Sequence, residues 1–397
     1  MLEFSSRLNN MEESATLAMS RLSRELKAQG KDIISLSLGE PDFHTPQFIK
    51  DAAVKAMNDN FTTYTPVPGY DDLRESISKK FKRDNGLNYS KTQIVVSTGA
   101  KQSLANVILS LVDEGDEVII PAPYWVSYIE IVKLAGGIPV VVEATIESDF
   151  KVTDKQLESA ITPKTKMMIF STPCNPSGSV YSREELKKLA HVIEQHPDLV
   201  VIADEIYEHI NFVGKHESLA QFDAIYNQVV TVNGVSKAWA MTGWRIGYIG
   251  APQAIADACT KMQGQFTSGT SSIAQKAAIA AVDADPAILK DMIAAFRGRR
   301  DLVLEKLRAI EGVKVNVPEG AFYVFPDISS FYGKSYNGTT IRNASDLCMF
   351  LLNDALVALV SGDAFGDDNC IRISYATSEE VLTEALKRVK TSLEKLG

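Results

Sequence analysis

The sequence predicts an α/β fold in which a large, mostly parallel sheet is covered by helices and is followed by a smaller α+β domain. Three observations support this prediction. A chain of 397 residues is too long for a single hydrophobic core. Short aliphatic runs alternate with helical patterns from about residue 47. The pattern then changes near residue 286, where a long charged helix begins. We therefore expect a large domain over residues 47–285 and a different, smaller unit after it.

The first elements precede the alternating region. The segment SATLAMSRLSRELKAQG predicts a helix that ends at Gly30, because glycine readily adopts the left-handed C-cap conformation. IISLSLG, after Asp32, predicts a strand. Six apolar runs then predict strands buried on both faces, because their aliphatic residues are nearly continuous. These runs are QIVVST, EVIIPAP, IPVVVEA, KMMIFST, LVVIADE and VVTVNGV.

The remaining elements belong to the predicted smaller domain. LKDMIAAFRGRRDLVLEKLRAI predicts a long charged helix that ends near Gly312. Three later segments have strand-like composition, namely VKVNVPEGAFYVFPDI, VALVSGDAF and CIRISYAT. The polar stretch FYGKSYNGTTIRNAS predicts a loop.

The bulk composition excludes several classes of function. A formal net charge of −9 argues against nucleic acid as a partner. No apolar run approaches the ~20 residues of a membrane span, and MLEFSSRLNNMEES lacks the apolar core of a signal peptide. The cysteines have no close pairing, which predicts free thiols in the cytoplasm. The histidines are scattered, so no metal site is predicted. The sequence has no GxGxxG motif, which disfavours nucleotide binding. The cysteines are Cys174, Cys259, Cys348 and Cys370.

The segment VNGVSKAWAMTGWRIGYIG, residues 232–250, is the most informative about chemistry. Lys237 lies among small residues between segments that are expected to be buried. A dry pocket favours the neutral amine, which can form an imine with an aldehyde. Arg245 offers a planar fork suited to a phosphate group. An aldehyde together with a phosphate indicates pyridoxal 5′-phosphate (PLP).

Three polar residues at strand ends fit the ring of such a cofactor. Asp204, after LVVIA, can keep a pyridine nitrogen protonated. Tyr207 and Asn175 are candidates to contact the ring hydroxyl. The competing structural roles are a helix N-cap for Asp204, a core position for Tyr207 and a turn for Asn175. Open α/β sheets bind ligands beyond the carboxyl ends of their strands, where Asn175, Asp204 and Lys237 are all expected.

A phosphate site is predicted where STGAKQSLANVILSL passes from a strand into a helix. Backbone N–H groups at a helix N-terminus bind anions, so Gly99, Ala100 and Lys101 are the expected cradle. Ser236 and Arg245 are expected to complete it. Trp125, in PYWVSY, is a candidate to stack on the cofactor ring, and its alternative role is a core tryptophan.

The chain resembles the class I PLP-dependent aminotransferases, and within them the bacterial aspartate aminotransferase branch. The PLP-lysine pattern runs from Gly234 through Lys237 to Gly247. Seven further motifs carry the resemblance along nearly the whole chain. These are SLGEPDFHTP, YTPVPGY, STGAKQ, PYWVSY, NPSG, ADEIYEH and IRISYATS.

The resemblance implies a fold type I transferase with PLP as cofactor and a ping-pong mechanism through an aldimine on Lys237. It also implies that residues 1–46 join 286–397 in the small domain, and that the enzyme is a homodimer with shared active sites. Tyr64 resembles the tyrosine that reaches the phosphate of the neighbouring subunit. Arg372 matches the arginine that binds the substrate α-carboxylate, and Gly39 matches a backbone contact beside it.

The resemblance favours aspartate and 2-oxoglutarate as substrates, and Lys101 as the residue that contacts the distal carboxylate. One departure concerns Glu12, since the branch often has a basic residue there; an acidic side chain disfavours a large dicarboxylate such as prephenate. The alternatives are other amino donors (aromatic, alanine, kynurenine or prephenate), a β-lyase or decarboxylase, and a non-catalytic sensor domain. The last is disfavoured because no basic recognition helix precedes the fold.

Overall fold

A computed structural model describes residues 3–397 and contains one central sheet with smaller sheets beside it. In chain order the strands of the described residues are β1 Ile34–Ser35, β2 Ile94–Ser97, β3 Glu117–Ala122, β4 Ile138–Glu143, β5 Thr165–Ser171, β6 Val200–Asp204, β7 Val229–Gly234, β8 Gly247–Gly250, β9 Tyr323–Val324, β10 Ser335–Tyr336, β11 Thr339–Thr340, β12 Val357–Ala358, β13 Val360–Ser361 and β14 Ile371–Ser374.

The central sheet has seven strands in the order β2-β8-β7-β6-β5-β3-β4. The pairs from β7 through β6, β5 and β3 to β4 are parallel. Strand β8 is antiparallel to both of its neighbours, β2 and β7. The predicted mostly parallel sheet and its six predicted strands are therefore confirmed. The expected burial on both faces is wrong for β4, whose residues are exposed or only partly buried because it is an edge strand of the sheet. Strand β8 was not predicted, because its four residues, GYIG, include two glycines and only one β-branched residue.

Helices cover both faces of this sheet. In chain order the α-helices of the described residues are α1 Ser6–Asn9, α2 Ala15–Ala28, α3 Gln47–Asn58, α4 Asp71–Lys80, α5 Ala100–Leu111, α6 Ser127–Ala135, α7 Asp154–Ala160, α8 Arg183–Glu194, α9 Gln253–Phe266, α10 Ser272–Asp283, α11 Lys290–Arg308, α12 Ala344–Asp354 and α13 Glu379–Leu393.

Strand β6 illustrates how the sequence places the core on both faces. Successive side chains of a strand point to opposite sides. Ile202 packs in the cluster formed with α5, α6 and α9, whereas Val201 and Ala203 pack in the cluster that includes α8 and α10. All three are fully buried. A strand covered on both faces needs apolar residues at every position, which explains the continuous aliphatic run and leaves Asp204, at its end, as the first charged residue.

The C-terminal part of the chain contains smaller sheets. Strands β13, β14 and β9 form an antiparallel sheet. Strand β1 pairs in parallel with β12, which joins the N-terminal segment to the C-terminal part. The grouping of residues 1–46 with 286–397 in one domain, and the limits of the large domain at residues 47 and 285, stay predictions.

One predicted loop is wrong in part. The stretch FYGKSYNGTTIRNAS contains the antiparallel hairpin β10-β11. At its turn, Asn337 and Gly338 have φ values of 48° and 81°. Asn-Gly is favoured in two-residue hairpin turns because both positions require positive φ. The polar composition of the segment hid this signal.

Other segments follow the prediction closely. Helix α2 ends two residues before Gly30, which has the positive φ expected of a C-cap. Helix α11 matches the predicted charged helix. IISLSLG forms only the two-residue strand β1. Within residues 3–397, no helix is both long and apolar enough to cross a membrane.

Candidate active site

A cavity of about 330 Å³ lies beyond the carboxyl ends of the parallel strands. This is the edge where an open α/β sheet is expected to bind its ligand. The residues predicted from the sequence that line it are Gly39, Ala100, Lys101, Trp125, Asn175, Asp204, Tyr207, Ser236, Lys237, Arg245 and Arg372. The fold thus brings together residues that are far apart in the sequence, from Gly39 to Arg372.

Lys237 is partly buried and lines this cavity, three residues after β7. Its Nζ donates a hydrogen bond of 2.7 Å to the carbonyl oxygen of Gly39. The same nitrogen lies 5.6 Å from the ring centroid of Tyr207 and 5.9 Å from that of Phe322. Burial, followed by the Arg372 cation, lowers the pKa of Lys237 from 10.5 to about 8. A substantial fraction of this amine is therefore neutral near pH 8.

Asp204 ends β6 and faces Lys237 within the cavity. Tyr128, in the first turn of α6, donates a hydrogen bond of 2.8 Å to its Oδ2. The backbone N–H of Ile206 donates to Oδ1 at 3.3 Å. Burial raises the pKa of Asp204 to about 6, although these two donors and Lys237 oppose the rise. The carboxylate is charged at neutral pH and is held from two sides.

Tyr207 follows Asp204 on the same turn. Its hydroxyl shares a hydrogen bond of 2.8 Å with the hydroxyl of Tyr323, which comes from β9. Burial, and then the neighbouring Tyr323, raise the pKa of Tyr207 well above its ordinary value. The Tyr323 hydroxyl also comes so close to Gly39 that a Cβ there would collide with it. A larger residue at position 39 would therefore displace the Tyr323 hydroxyl from its hydrogen bond with Tyr207.

Arg372 on β14 is 1% exposed, and its guanidinium reaches the cavity from the C-terminal part of the chain. It donates to Asn175 Oδ1 at 3.0 Å and to the carbonyl oxygen of Ser37. The guanidinium carbon lies 4.7 Å from the ring centroid of Tyr323. Its Nε is buried and has no hydrogen-bond partner among the described residues. The fork is thus fixed in direction while one donor stays unsatisfied.

The N-terminus of α5 faces the opposite end of the cavity. Gly99 is its N-cap, with a φ of 84°, and no side chain caps the helix. The guanidinium of Arg245 lies against Gly99, so a Cβ at this position would meet it. Arg245 Nη1 donates to the carbonyl oxygen of Thr242 at 2.8 Å. Open backbone N–H groups and a fixed guanidinium form an arrangement that binds anions.

Lys101 and Trp125 form one wall. Lys101 Nζ lies 4.9 Å from the ring centroid of Trp125, within cation–π distance. Burial of its amine, and then the Arg245 cation, lower the pKa of Lys101. Trp125 packs edge-on against Tyr128, with centroids 5.6 Å apart. The Lys101 ammonium therefore lies at the cavity wall beside a second cation, even though the residue as a whole is exposed.

The N-terminal segment closes part of the cavity mouth. Thr16 lines the cavity, and its hydroxyl accepts a hydrogen bond of 3.5 Å from Arg372 Nη2. The backbone N–H of Glu12 donates to Glu130 Oε2 at 2.8 Å. An acidic pair, Glu12 and Glu130, thus stands where this segment meets α6.

Two predicted residues do not line the cavity. Gly99 lies directly behind Arg245 instead. Tyr64 is 99% exposed and is not part of the cavity. Tyr128 and Tyr323, which contact Asp204 and Tyr207, were not predicted as site residues. Tyr128 is the last residue of the motif PYWVSY, a signal that could have identified it, whereas Tyr323 belongs to no such motif.

Comparison with known proteins connects this geometry to a family. The model for aminotransferase class I and II matches residues 31–389, nearly the whole chain. The chain belongs to the aminotransferase class I and II family. It is therefore an aminotransferase, as the resemblance predicted, and its mostly parallel sheet with flanking helices is the fold type I architecture.

Several relatives within this family cover the chain over its full length. A Petunia hybrida protein named bifunctional aspartate aminotransferase and glutamate/aspartate-prephenate aminotransferase is 47% identical, across 99% of this chain and 83% of its own. An aspartate/prephenate aminotransferase of Nitrosomonas europaea is 46% identical, across 99% of this chain and 100% of its own.

Solved structures agree with the fold. The aspartate aminotransferase of Rhizobium meliloti matches with a TM-score of 0.97 and 42% identity, covering 100% of both chains. That of Thermus thermophilus with maleate matches with a TM-score of 0.93 and 40% identity, covering 99% of this chain and 100% of its own. The aminotransferase fold predicted from the motifs is confirmed over the whole chain.

Proposed function

We propose that this aminotransferase uses PLP to transfer an amino group between aspartate and 2-oxoglutarate. The observation that carries the proposal is the convergence of Lys237, Asp204 and Arg372 on one cavity. A partly buried amine, a buried carboxylate and a buried guanidinium are respectively what an aldehyde, a pyridine nitrogen and a substrate carboxylate require.

The residues present fit PLP in size and in chemistry. Lys237 has a depressed pKa, which favours the nucleophilic neutral amine. Asp204 offers a negative charge in a dry site. The open helix end at Gly99, together with Arg245, suits a phosphate. When bound, PLP supplies a carbonyl that condenses with amines and a ring that accepts electrons from the substrate Cα.

In the proposed mechanism, Lys237 Nζ accepts the proton from the substrate Cα and later returns it, acting as general base and general acid. Its hydrogen bond to the Gly39 carbonyl fixes the direction of approach. Asp204 holds a proton on the cofactor ring nitrogen, and Tyr128 keeps that carboxylate oriented. Tyr207 and Asn175 are proposed to contact the ring hydroxyl. Trp125 and Ser236 are proposed to complete the cofactor site.

Arg372 is proposed to bind the α-carboxylate that every amino acid substrate carries. The position of its guanidinium supports this role, because a buried cation that lines the cavity attracts a carboxylate and offers it a planar fork of donors. Asn175 and Ser37 already orient the fork. Substrate would therefore meet a preorganised group rather than order a mobile one.

A second carboxylate on the substrate is proposed to interact with Lys101. Its ammonium stands at the cavity wall, near Arg245 and over Trp125. The names of the relatives include aspartate throughout, and the Thermus thermophilus structure holds maleate, a four-carbon dicarboxylate. Prephenate is a second candidate substrate, because it appears in the names of both curated relatives. Glu12 and Glu130 near the mouth disfavour its larger dianion.

The proposal extends to a homodimer with shared sites, in the cytoplasm. Tyr64 is an aromatic side chain left 99% exposed, which supports its burial against a second copy of the chain. In that arrangement its hydroxyl would reach the phosphate region of the partner's site.

One experiment tests the proposed function directly. Purified enzyme loaded with PLP is mixed singly with aspartate, glutamate, alanine, phenylalanine and lysine, and the absorbance change from the aldehyde to the amine form of the cofactor is followed. We expect aspartate and glutamate to react fastest, and Lys237→Ala to give no catalytic turnover. Equal rates with all five would remove the dicarboxylate preference; turnover by Lys237→Ala without added amines would remove Lys237 from the mechanism.

A further inference from the structure

A buried network of charged and polar side chains lies behind the cavity, on the far side of the turn that carries Asp204 and Tyr207. None of its members lines the cavity. It joins this turn to α4, to the single π-helical turn that follows α4, and to the segment before residue 219. Its members are Lys80, Asp84, Asn85, Glu205, Glu208, His209, His216 and Ser218.

Glu208 is the centre of one half of the network. Its side chain is 3% exposed, and it forms an ion pair with Lys80, which is 2% exposed. Asn85 donates to Glu208 Oε2 at 2.9 Å and accepts from Lys80 Nζ at 3.0 Å. Burial alone would raise the pKa of Glu208, but the Lys80 ammonium holds this pKa well below its ordinary range. The pair is thus charged and closed within the protein.

Glu205 is the centre of the other half. Ser218 donates to its Oε1 at 2.7 Å, and His216 Nε2 lies 3.0 Å from its Oε2. Burial opposes a charge on His216, but the Glu205 carboxylate raises the pKa of His216. Glu205 is fully buried. The carboxylates of both glutamates of the motif ADEIYEH therefore interact with buried groups of the protein, where substrate cannot reach them.

The two glutamates alternate with the two residues that face the cofactor cavity. Asp204 and Tyr207 line the cavity, whereas Glu205 and Glu208 point into the network. The turn is short and closed, since the N–H of Glu208 donates to the Glu205 carbonyl at 2.9 Å. A shift of either glutamate would therefore move its neighbour in the cavity.

The network is not arranged as a metal site. One carboxylate oxygen each of Asp84 and Glu208 and one ring nitrogen of His209 lie within 4.8 Å of one another. Lys80 Nζ, however, pairs with Glu208 and lies 3.7 Å from Asp84. The ammonium already takes the position of a cation among these groups.

Stability alone does not explain the network. A buried ion pair often contributes no more to folding than apolar residues of the same volume would, because desolvation opposes the Coulomb attraction. What such a pair does provide is one defined geometry. We propose that Lys80, Glu208, Glu205 and His216 are positioning residues, which hold the turn so that Asp204 and Tyr207 meet the cofactor ring in the catalytic orientation. This inference rests on the proposed PLP chemistry.

The test separates positioning from stability with a paired replacement. Lys80→Met combined with Glu208→Gln removes both charges while glutamine keeps a carbonyl for Asn85. We expect near wild-type thermal stability together with a visible circular dichroism band of bound PLP reduced by about half or more. A displacement of about 1 Å at the cofactor turn lowers kcat on the order of 10–100-fold. KM for aspartate should change little, because Arg372 is untouched.

The matched control is Lys395→Met, which breaks an ion pair of 2.6 Å with Asp354 far from the turn. It should leave the dichroism band and kcat unchanged. If the double variant has both the thermal stability and the dichroism band of the wild type, the network does not position the turn and the inference is overturned.

A second variant keeps the test decisive if the double variant does not fold. Glu205→Gln retains an acceptor for Ser218 and removes the charge facing His216. It should reduce the same dichroism band and kcat, and wild-type values would contradict the inference. The wild-type enzyme separates the two proposals: if it neither binds PLP nor transaminates, the proposed function fails, whereas unchanged variants of an active wild type defeat only the positioning role.

Discussion

Tyr128 donates a hydrogen bond of 2.8 Å to the Asp204 carboxylate from the first turn of α6. Burial and the adjacent Asp204 charge raise the pKa of Tyr128 well above its ordinary value, so the phenol always carries the proton it donates. The carboxylate is therefore held in one orientation without being neutralised. The charge of Asp204 and the hydrogen bond that orients it can therefore be removed by separate substitutions.

Asp204→Asn should lower the rate of the half-reaction with aspartate far more than it weakens PLP binding. Asparagine keeps the shape of the side chain but removes the charge that would hold a pyridine nitrogen protonated. Tyr128→Phe keeps the charge and loses one hydrogen bond to it, about 1.5–3 kcal/mol. Stopped-flow absorbance gives the half-reaction rate, and equilibrium dialysis gives the PLP affinity. Near wild-type rates for Asp204→Asn would make Asp204 structural only.

Lys237→Met should stabilise the PLP-free protein near neutral pH. The folded-state pKa of Lys237 is about 8 and its ordinary value is 10.5. Between these values the unfolded chain binds more protons than the folded one, so stability rises with pH across that window. Below about pH 8 the folded protein therefore carries the full penalty of a buried charge, on the order of 3 kcal/mol.

Thermal unfolding of the PLP-free forms checks this prediction. Loss of the hydrogen bond to Gly39 offsets the gain by about 1 kcal/mol. The variant should melt higher than wild type near pH 7, and the difference should shrink or reverse towards pH 10.5. A variant that melts lower at every pH would mean that the amine is not destabilised by burial.

Arg372→Leu should impair all amino acid substrates alike, because each carries an α-carboxylate. Removing one partner of a charge pair in a dry site costs on the order of 3–5 kcal/mol in kcat/KM. Steady-state rates with aspartate, alanine and phenylalanine give the comparison. Arg342→Leu, which breaks an exposed pair with Asp346, is the control and should have no effect. A loss limited to aspartate would assign the distal carboxylate to Arg372 instead.

Lys101→Ala should lower kcat/KM for aspartate more than for alanine or phenylalanine, by about 2–5 kcal/mol. The reason is that only a dicarboxylate presents a second anion to this ammonium. Lys261→Ala, an exposed position on α9, serves as the control. An equal loss for all three substrates would place Lys101 with the cofactor phosphate, and no loss would place it in solvent.

The sequence predicted the parts of the fold that depend on local pattern. The strands with continuous aliphatic residues, such as β6, were found because two-sided burial leaves no room for polar residues. Strand β8 was missed because a strand made half of glycine takes its stability from its two neighbours rather than from its own residues. The hairpin at Asn337 was missed because only two residues on each side form it.

The same limit applies to the candidate site. Motifs identified Asp204, Lys237 and Arg372, each of which has a recognisable flanking pattern. Tyr323 became apparent only in three dimensions, because its contact with Tyr207 joins residues 116 positions apart. The network around Glu208 was likewise invisible, since Lys80 resembles any helical lysine until the fold buries it.

The position of Tyr64 has a consequence for how defective chains behave together. Under the proposed dimer, each site takes Lys237 from one subunit and Tyr64 from the other. Tyr64→Ala and Lys237→Ala would each be inactive or weak alone. After unfolding and refolding as an equal mixture, half of the dimers are hybrids, and each hybrid contains one site with both native residues. The mixture of the two nearly inactive variants should then have about a quarter of the wild-type activity. This complementation would be absent if each active site were formed by a single chain.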